Sequence, residues 1–553
     1  MDFTKHFATR LMRLLTPQAE PIPGSTQVPN SAGGYAWPVD KWARLDRFLV
    51  LGSEGGTFYV GERTLTQENA LGVIECLAED GVRTVARIVE VSVAGRAPKN
   101  DPALFALAIA AGLGDGPTKA AVWEALPKVA RTATHLFHWL QYIKAFRGWG
   151  RGVRRAVADW YTAKPAMDIG YQVLKYPSRD GWAHRDALRL AHPKAPTVAH
   201  DLVFRYATKG WEGVLALAGV DDMEVIQTIE AVQALRHQAP GLAAQSIVRH
   251  GLTREMVPTE LLTHAVVWEA LLQRMPLTAM IRNLGVMTKV GLLGPMSDAV
   301  MTVTAALGDR AKLKAARLHP IALLVAQKTY AQGRGMKGSG SWSPVPQVVD
   351  ALDRAFYLAF ESAPATGQRI MLALDVSGSM AAPVLGMDFL SCREASAAMA
   401  LVTAASEPRH MFTAFTAGSY KSMYANLGSG LSPLAISPRE RLDDVVRSIS
   451  GLNFGGTDCA LPMIEALKHQ WPIDLFVIYT DSETWAGTIH PSQALREYRE
   501  RMGIKAKLVV VAMTSNGFTI ADPDDGGMLD VVGFDTATPQ VIADFGAAAR
   551  QAA

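Results

Sequence analysis

The spacing of apolar residues divides the chain into two parts. From Thr66 to about Ala359, apolar residues recur at helical spacing in segments that Gly, Pro, Asn or Asp interrupt. Almost none of this part has the alternation typical of strands. From Ile370 onward, short apolar runs alternate with helical segments. We therefore expect a long helical region followed by an α/β domain.

The helical region has no strict sequence repeat. A long series of helices of this kind is typical of helix pairs that stack in a solenoid or a ring, stabilised by contacts between neighbours. Residues 16–40, which precede it, are rich in Pro, Gly, Ser and Asn, and this favours an irregular arm. The predicted helices cover residues 66–79, 102–111, 119–130, 134–146, 153–163, 197–207, 223–235, 259–272 and 320–327.

The C-terminal part predicts a doubly wound parallel sheet. Residues 370–374 are all apolar, as in a strand that is buried on both faces. Regular alternation of strand and helix is typical of such a sheet. Further strands are predicted over residues 410–415, 474–480 and 507–513, and helices over residues 392–405, 438–449, 460–469, 491–501 and 539–549.

Side chains with oxygen atoms follow these strands. Asp375, Ser377 and Ser379 are spaced by two, so they can converge on one hard cation. Thr457 follows a glycine turn, and Asp481 ends a second apolar strand. Ligands of a parallel sheet bind at the carboxyl ends of its strands, where these loops would meet. The first three residues alone fit helix capping equally well, but the set of five predicts a metal site.

This pattern of five residues resembles the metal-ion-dependent adhesion site of von Willebrand factor A domains, over residues from about Gln368 to the C-terminus. The resemblance implies that the two serines and one carboxylate bind Mg²⁺ directly. It implies that Thr457 and the other carboxylate bind directly or through water, and that an acidic group of a partner completes the shell. Mg²⁺ suits such a site because it retains waters and accepts few protein oxygens.

Composition limits the class of protein. With 553 residues, 49% of them hydrophobic, the chain has enough material for more than one domain. Its cysteines, Cys76, Cys392 and Cys459, are far apart, which argues for a reducing compartment and against a structural zinc. No apolar run approaches the roughly 20 residues that a membrane span needs. We expect a cytoplasmic protein that does not enter the membrane.

Charge is unevenly distributed along the chain. The formal net charge is +3, but residues 1–363 carry +9 and residues 364–553 carry −6. Residues 144–209 alone carry +8, with 13 basic and 5 acidic side chains. A concentration of positive charge in one stretch indicates a surface for a polyanion.

The basic stretch presents its cations in a pattern. Arg151, Arg154 and Arg155 have the spacing of one helix face, and Lys175 and Arg179 flank a Tyr-Pro-Ser turn. Such side chains supply the phosphate contacts of nucleic-acid binding. A basic run is also commonly just a solvated surface, so clustering alone leaves both interpretations open.

Two other features have a plainer interpretation. Trp149, Trp160 and Trp182 could stack on bases, but tryptophans at helical spacing more often pack between helices. Residues 331–346 are basic and rich in glycine, which on composition favours a flexible linker.

Four segments resemble the Ro ribonucleoprotein family, whose helical module is called TROVE. They are residues 27–34 (QVPNSAGG), 42–59, 158–161 (ADWY) and 181–190. The resemblance covers nearly the whole chain, including the order of helical module and A domain. On these motifs the chain is identified as a bacterial-type member of that family.

The resemblance implies a HEAT-like helical-repeat ring followed by the A domain. It divides the chain into an arm (residues 1–40), the TROVE ring (41–363) and the von Willebrand factor A-like domain (364–553). A small non-coding Y-like RNA would bind the outer basic surface. Misfolded or structured RNAs would lie on that surface with a single-stranded 3′ end through the central hole.

The resemblance also assigns residues to RNA. The positions that match the family's RNA contacts are Lys175, Arg179 and His192, and we extend this surface to Arg151, Arg154 and Arg155. Residues 331–346 would line the hole, with Arg334 and Lys337 near the strand.

We therefore expect a monomeric, non-enzymatic RNA-binding ring that acts in RNA quality control or processing beside a separate exoribonuclease. The alternative is a Mg²⁺-dependent adaptor that binds proteins through its A domain and has no RNA role. An enzyme with Asp375 as a phosphoryl acceptor is a third hypothesis. It would need an acid/base carboxylate where Ser377 stands.

Overall fold

The computed structural model describes most of the chain. The ranges are residues 15–51, 70–97, 99–215, 224–316, 318, 320–335, 340–359, 365–384, 387–416, 430–437, 440–450, 456–514, 516–533, 535 and 538–547. Residues 52–59 of one family motif, Gly455 of the predicted glycine turn, and Lys337 lie outside them.

An N-terminal segment, residues 15–51, precedes the helical region. It contains two short strands, β1 (Val28–Pro29) and β2 (Tyr35–Pro38), which pair antiparallel, and one helix, α1 (Lys41–Leu51). The predicted irregular arm therefore has some regular structure. The sharp turn between the strands includes Gly33, whose φ of +91° is a conformation that favours glycine.

The helical region is built as predicted from many short helices. Its helices are α2 (Leu71–Ala94), α3 (Asp101–Leu113), α4 (Gly116–Val129), α5 (Ala133–Phe146), α6 (Arg151–Thr162), α7 (Ala166–Lys175), α8 (His184–Ala191), α9 (Val198–Lys209), α10 (Trp211–Leu215), α11 (Glu224–Ala234), α12 (Pro240–His250), α13 (Ala265–Leu272), α14 (Leu277–Lys289), α15 (Asp298–Gly308), α16 (Arg310–Ala315), α17 (Pro320–Ala331) and α18 (Pro346–Leu358).

Helices close in sequence pack on one another in this region. Helix α3 packs on α4 and α5, α12 packs on α13, and α17 packs on α18. Local signals set the helix ends, since the side chains of Asp115 and Thr132 cap the first turns of α4 and α5. These contacts between neighbouring helices stabilise the region, as expected for a series of helices without a strict sequence repeat.

Two details of the helical region differ from the prediction. Helix α2 continues to Ala94, far beyond the predicted end at residue 79, with a kink at Asp80. A hairpin, β3 (Ser178–Arg179) and β4 (Trp182–Ala183), interrupts the helices. Asp180 and Gly181 both have positive φ, as the two central residues of a tight hairpin turn require.

The C-terminal domain is the expected α/β fold. Its strands are β5 (Ile370–Asp375), β6 (Pro383–Val384), β7 (Met387–Ser391), β8 (His410–Phe415), β9 (Leu431–Leu434), β10 (Leu475–Thr480), β11 (Lys507–Ala512), β12 (Phe518–Thr519) and β13 (Met528–Val532), and its helices are α19 (Cys392–Ser406), α20 (Leu442–Ser450), α21 (Leu461–Lys468), α22 (Pro491–Met502) and α23 (Thr538–Ala547).

The main sheet has six strands in the order β13-β11-β10-β5-β8-β9. All neighbours are parallel except β9, an antiparallel edge strand that the sequence analysis missed. On one face, Phe476 and Ile478 belong to a core with residues of α21 and α22. On the other face, Tyr479 accepts or donates a 3.2 Å hydrogen bond with Thr403 of α19. Burial on both faces explains the continuous apolar runs.

Contacts group the chain into two compact units. One contains the described residues up to Val73, residues 96 and 97, and the α/β domain, and the other contains residues 74–95 and 99–359. The N-terminal segment belongs to the unit of the α/β domain, where β2 pairs with β12. The division into an arm (residues 1–40), a helical ring (41–363) and an A domain (364–553) stays a prediction.

The structure also bears on membrane insertion and on the cysteines. Of the helices within the described ranges, none is both long and apolar enough to cross a membrane. Cys76, Cys392 and Cys459 are buried and form no disulfide with one another.

Candidate metal site and candidate nucleic-acid interface

The predicted metal residues begin where two neighbouring parallel strands end. Asp375 is the last residue of β5 and Thr480 the last of β10, and the register pairs Leu374 with Tyr479 one step before. The Thr480 hydroxyl donates a 2.6 Å hydrogen bond to Asp375 Oδ2. The Asp375 carboxylate is thus held at the carboxyl edge of the sheet, as predicted for a ligand site.

The loop after β5 brings the first three predicted residues together. The Ser377 amide donates to Asp375 Oδ1 at 2.9 Å, and the hydroxyls of Ser377 and Ser379 lie 3.1 Å apart. The guanidinium of Arg393 donates to the carbonyls of Val376 and Ser377, at 3.0 Å each. This buried arginine fixes the loop, so the two hydroxyls and the carboxylate form one group.

Thr457 and Asp481, the other predicted ligands, are also buried. Cys459, two residues after Thr457, lies 3.6 Å from the Thr480 hydroxyl through its Sγ atom, which brings this loop to the same strand end. The Oγ1 atom of Thr457 and the Oδ2 atom of Asp481 are buried without a hydrogen-bond partner among the described residues. A buried oxygen left unpaired costs about 1–3 kcal/mol, so each of these two oxygens is suited to serve as a ligand of a cation.

The electrostatics of the site also favour a cation. Burial raises the pKa of Asp375, and burial together with the nearby Asp375 charge raises the pKa of Asp481 to about 8. Two buried carboxylates that disfavour each other's ionisation are stabilised by a divalent cation. The donors, two carboxylates and three hydroxyls, are the hard oxygens that Mg²⁺ accepts.

The site depends on its hydroxyl groups. Within the described ranges, no group of three or more His, Cys, Asp or Glu side chains could hold a metal ion. A cation at Asp375 would therefore need the serine and threonine oxygens that the sequence pattern singled out.

The predicted RNA-binding residues lie in the helical unit. Helix α6 buries Val153, Val157 and Trp160 on one side. Arg151, Arg154 and Arg155 are exposed, and α6 gives them the helical spacing that predicted a shared face. Arg155 lies 3.8 Å from Asp159, one turn further along an exposed surface. This pair contributes little, because exposed ion pairs are worth about 0–1 kcal/mol.

Arg179 lies on the β3–β4 hairpin. Its side chain is 59% exposed and pairs with the Asp180 carboxylate, 3.7 Å from Nε. The other oxygen of Asp180 contacts Nδ1 of His138, a residue of helix α5. The imidazole therefore anchors the turn that presents Arg179.

Trp149 joins three of the basic elements. Its ring stacks on Trp182 of the hairpin, with 5.7 Å between centroids, and its Nε1 donates to the Leu190 carbonyl of α8 at 3.3 Å. Trp149 lies two residues before Arg151, the first residue of α6, and Leu190 lies two residues before His192. The start of α6, the hairpin and the end of α8 are thus held in contact by one indole.

The two remaining predicted residues end helices. Lys175 is the last residue of α7, is half-buried, and donates a 3.0 Å hydrogen bond to the Tyr171 hydroxyl. His192 is exposed and follows α8 with a φ of +50°. Both residues lie where a helix ends and a loop begins.

Two of the three tryptophans pack between helices and are not available to stack on bases. Trp160 is buried and donates a 2.6 Å hydrogen bond to the Ala130 carbonyl. Trp182 is also buried, between Trp149 and the ammonium of Lys144, which lies 4.7 Å from its centroid. These two indoles pack the helical unit, and Trp149 alone is partly exposed.

Two residues of the glycine-rich segment 331–346, Arg334 and Trp342, make specific contacts. Trp342 stacks on Tyr330 with 6.0 Å between ring centroids, and Arg334 bridges to Ser341. These contacts are more than a flexible linker would make. The placement of Arg334 near an RNA strand stays a prediction.

Comparison with known proteins identifies the family. Residues 28–219 and 247–329 match the TROVE domain, and residues 369–546 match the Ro60 vWA domain. The RNA-binding protein RO60 of Deinococcus radiodurans is 41% identical over 545 residues, which cover 98% of this chain and 99% of that protein. The chain belongs to the Ro60 family. The resemblance inferred from its sequence motifs is confirmed.

A second relative and a solved structure extend the comparison. The RNA-binding protein RO60 of Caenorhabditis elegans is 36% identical over 592 residues, which cover 94% of this chain and 90% of that protein. The crystal structure of the Ro (RSR) protein of Deinococcus radiodurans matches with a TM-score of 0.68 at 40% identity, and covers 92% of this chain and 100% of that one. The relatives are named RNA-binding proteins, and neither name gives an enzymatic activity.

Two residues that support the candidate metal site, Thr480 and Arg393, are not among the residues predicted from the sequence. Thr480 had a visible signal, since it stands beside Asp481 at the end of an apolar strand. Arg393 had none, because its contact with the loop depends on how α19 packs under β5.

Proposed function

We propose that this Ro60-family chain binds RNA through a basic surface on its helical unit. The surface consists of Lys175, Arg179 and His192, extended by Arg151, Arg154 and Arg155. The observation that carries the proposal is the contact of Trp149 with the hairpin and α8, which gathers separate basic elements of a chain whose relatives are RNA-binding proteins.

Phosphate contacts would supply most of the affinity. Arginine and lysine at these positions neutralise phosphates and release counterions, so affinity falls as salt rises. The major groove of double-stranded RNA is too deep and narrow for side chains to read its base edges, so the surface would recognise mainly the shape of a duplex. Specificity for one RNA would come from its loops and bulges.

The RNAs we propose are of two kinds. One is a small non-coding Y-like RNA on the outer basic surface. The other is misfolded or structured RNA, with its duplex on the same surface and its single-stranded 3′ end through the central hole of the ring that the family resemblance implies. The chain would act as a monomer in RNA quality control or processing and leave cleavage to a separate exoribonuclease.

We also propose that Asp375, Ser377, Ser379, Thr457 and Asp481 hold Mg²⁺. The cation would offer a coordination position to an acidic group of a partner. Support comes from the two buried oxygens without partners and from the hard-oxygen donor set. These same oxygens favour one alternative function, a Mg²⁺-dependent adaptor that binds proteins and not RNA.

Equilibrium binding of two RNAs distinguishes these functions. One RNA has a duplex stem with a single-stranded 3′ tail, and the other has the same stem with a blunt end. We expect tight binding of the tailed RNA and weaker binding of the blunt one. Failure of the folded protein to bind either RNA would favour the adaptor.

A further inference from the structure

The N-terminal segment, residues 15–51, contacts the loops that carry two of the candidate metal ligands. These loops are residues 456–460, which include Thr457, and residues 481–487, which include Asp481. The segment is separated from both by more than 400 residues of sequence. Two of its side chains, Gln18 and Asn30, contact these loops directly, and a third, Arg47, reaches Asp481 through Asn516; all three are buried.

Gln18 bonds to both loops at once. Its Nε2 donates to Asp458 Oδ1 at 2.7 Å and to the Ile489 carbonyl at 2.8 Å. Its Oε1 accepts from the Gly487 amide at 3.2 Å and from the Thr484 hydroxyl. Both donor and both acceptor positions of the amide are therefore used. Asp458 is the residue next to Thr457, so this amide fixes the backbone beside a candidate ligand.

Asn30 holds the arm against the second loop. Its Nδ2 donates to the Thr484 carbonyl at 2.8 Å, and its Oδ1 accepts from the amide of Gly34 at 2.8 Å. A Cβ on Gly34 would lie 1.9 Å from the Thr484 carbonyl oxygen, so only glycine permits this approach. The Ala32 amide donates to Glu483 Oε2 at 3.1 Å, two residues from Asp481.

Arg47 reaches Asp481 through one intermediate residue. Its Nη1 donates to the carbonyl and the side-chain oxygen of Asn516, at 2.8 Å and 3.1 Å. The Asn516 amide nitrogen in turn donates to the Asp481 carbonyl. Asp530 accepts both hydrogen bonds of Arg47 Nη2 at 2.7 Å, which fixes the guanidinium.

We propose that the N-terminal segment is an integral part of the metal site, with Gln18, Asn30 and Arg47 as positioning residues for the loops of Thr457 and Asp481. This inference rests on the proposed metal site. A buried ligand oxygen without a partner relaxes toward a protein donor unless its surroundings fix it. The segment supplies that restraint from outside the α/β domain. Residues that orient metal ligands typically change affinity by about 10–100-fold when mutated.

The test measures Mn²⁺ binding by isothermal titration calorimetry on the full chain. Gln18→Met removes the amide with little change in volume. Gln27→Met is the matched control, because the contacts of Gln27 are with Ile22, Ser25 and His490 and not with either loop. We expect the dissociation constant to rise at least about tenfold for Gln18→Met and to stay within about twofold for Gln27→Met.

Unchanged Mn²⁺ affinity in folded Gln18→Met would overturn the positioning role. A wild type that binds Mn²⁺ no better than Asp375→Ala is a different result, which removes the metal site itself. If Gln18→Met does not fold, hydrogen exchange on the wild type gives the answer. Coupling is reciprocal, so saturating Mn²⁺ must slow exchange of the Gln18, Ala32 and Gly34 amides, and unaltered rates would refute the proposal.

Discussion

Tyr161 and His184 form a buried hydrogen bond of 2.7 Å that joins helix α6 to helix α8. The other nitrogen of the imidazole, Nε2, lies 3.1 Å from the Tyr176 carbonyl. His184 is therefore neutral, with Nε2–H donating to Tyr176 and Nδ1 accepting from the tyrosine hydroxyl. The imidazole of His184 thus links α6, which carries Arg151, to Tyr176, the residue after Lys175. It is a buried support for the elements that carry the basic surface.

This arrangement predicts a loss of stability in acid. Burial lowers the pKa of His184 to about 4, below the ordinary 6.5 of the unfolded chain. The unfolded state therefore binds a proton that the folded state does not as pH falls below about 6.5. The contribution of His184 is complete above that pH and is lost progressively toward pH 4, by up to roughly 3 kcal/mol.

Urea unfolding of wild type and His184→Gln between pH 7.5 and 4.5 measures this effect. Glutamine does not titrate, so the variant must lose less stability than wild type over that range. Equal pH slopes for the two proteins would show that His184 is not the group responsible.

The separation of the two sites predicts the behaviour of Asp375→Ala. Asp375 lies in the unit of the α/β domain, and the basic surface lies in the helical unit. We expect the variant to lose Mg²⁺ binding and to keep the RNA affinity of wild type within about twofold. Calorimetry with Mg²⁺ and an RNA titration on the same preparation measure both. A large loss of RNA affinity in the folded variant would refute the separation.

The hydrogen bond between Thr480 and Asp375 predicts a second metal phenotype. Thr480→Val removes the donor that orients the carboxylate, and we expect Mg²⁺ affinity to fall about tenfold. Thr413→Val is the matched control on strand β8, which pairs with β5 on the side opposite β10. The Thr413 hydroxyl is buried and has no hydrogen-bond partner in the described part of the chain. Equal affinities of the two valine variants would contradict an orienting role for Thr480.

The buried ion pair of Arg47 and Asp530 predicts a stability effect. Arg47→Met leaves the Asp530 carboxylate without its partner, which should cost about 3 kcal/mol of unfolding free energy. Arg447→Met breaks the exposed pair with Asp444 and should cost less than about 1 kcal/mol. Denaturant titrations compare them, and similar costs would argue that the buried pair does not anchor the N-terminal segment.

Local sequence patterns predicted the features that depend only on residues close together in the sequence. Continuous apolar runs gave the buried strands, and the oxygens after them gave the candidate ligands, because carboxyl ends of parallel strands meet at one edge. The i, i+3, i+4 spacing places the arginines of α6 on one helix face for the same local reason. Asp180-Gly181 is also a local hairpin signal, and the hairpin turns there and not at the preceding Tyr-Pro-Ser that the sequence pattern favours.

Contacts between distant residues could not be predicted in this way. Gln18 lies in a Pro- and Gly-rich stretch with no helical or strand pattern, yet its amide bonds to Asp458, 440 residues away. The antiparallel edge strand β9 is four residues long, too short to show a pattern. Trp149 shows the same limit, because its contacts with Trp182 and Leu190 follow from tertiary packing.

RNA affinity as a function of salt tests the central claim most directly. The RNA carries a duplex stem and a 3′ tail, and wild type is compared with Lys175→Ala/Arg179→Ala/His192→Ala. His264→Ala/Arg282→Ala/Lys289→Ala is the control, because it removes two exposed cations and an exposed histidine elsewhere in the helical unit.

We expect wild type and control to bind tightly with the same steep salt dependence. The first triple variant should bind at least tenfold more weakly, and its slope of log affinity against log salt should be shallower by about one for each phosphate that the variant leaves unneutralised. Binding by that variant with unchanged affinity and slope would contradict RNA recognition by this surface.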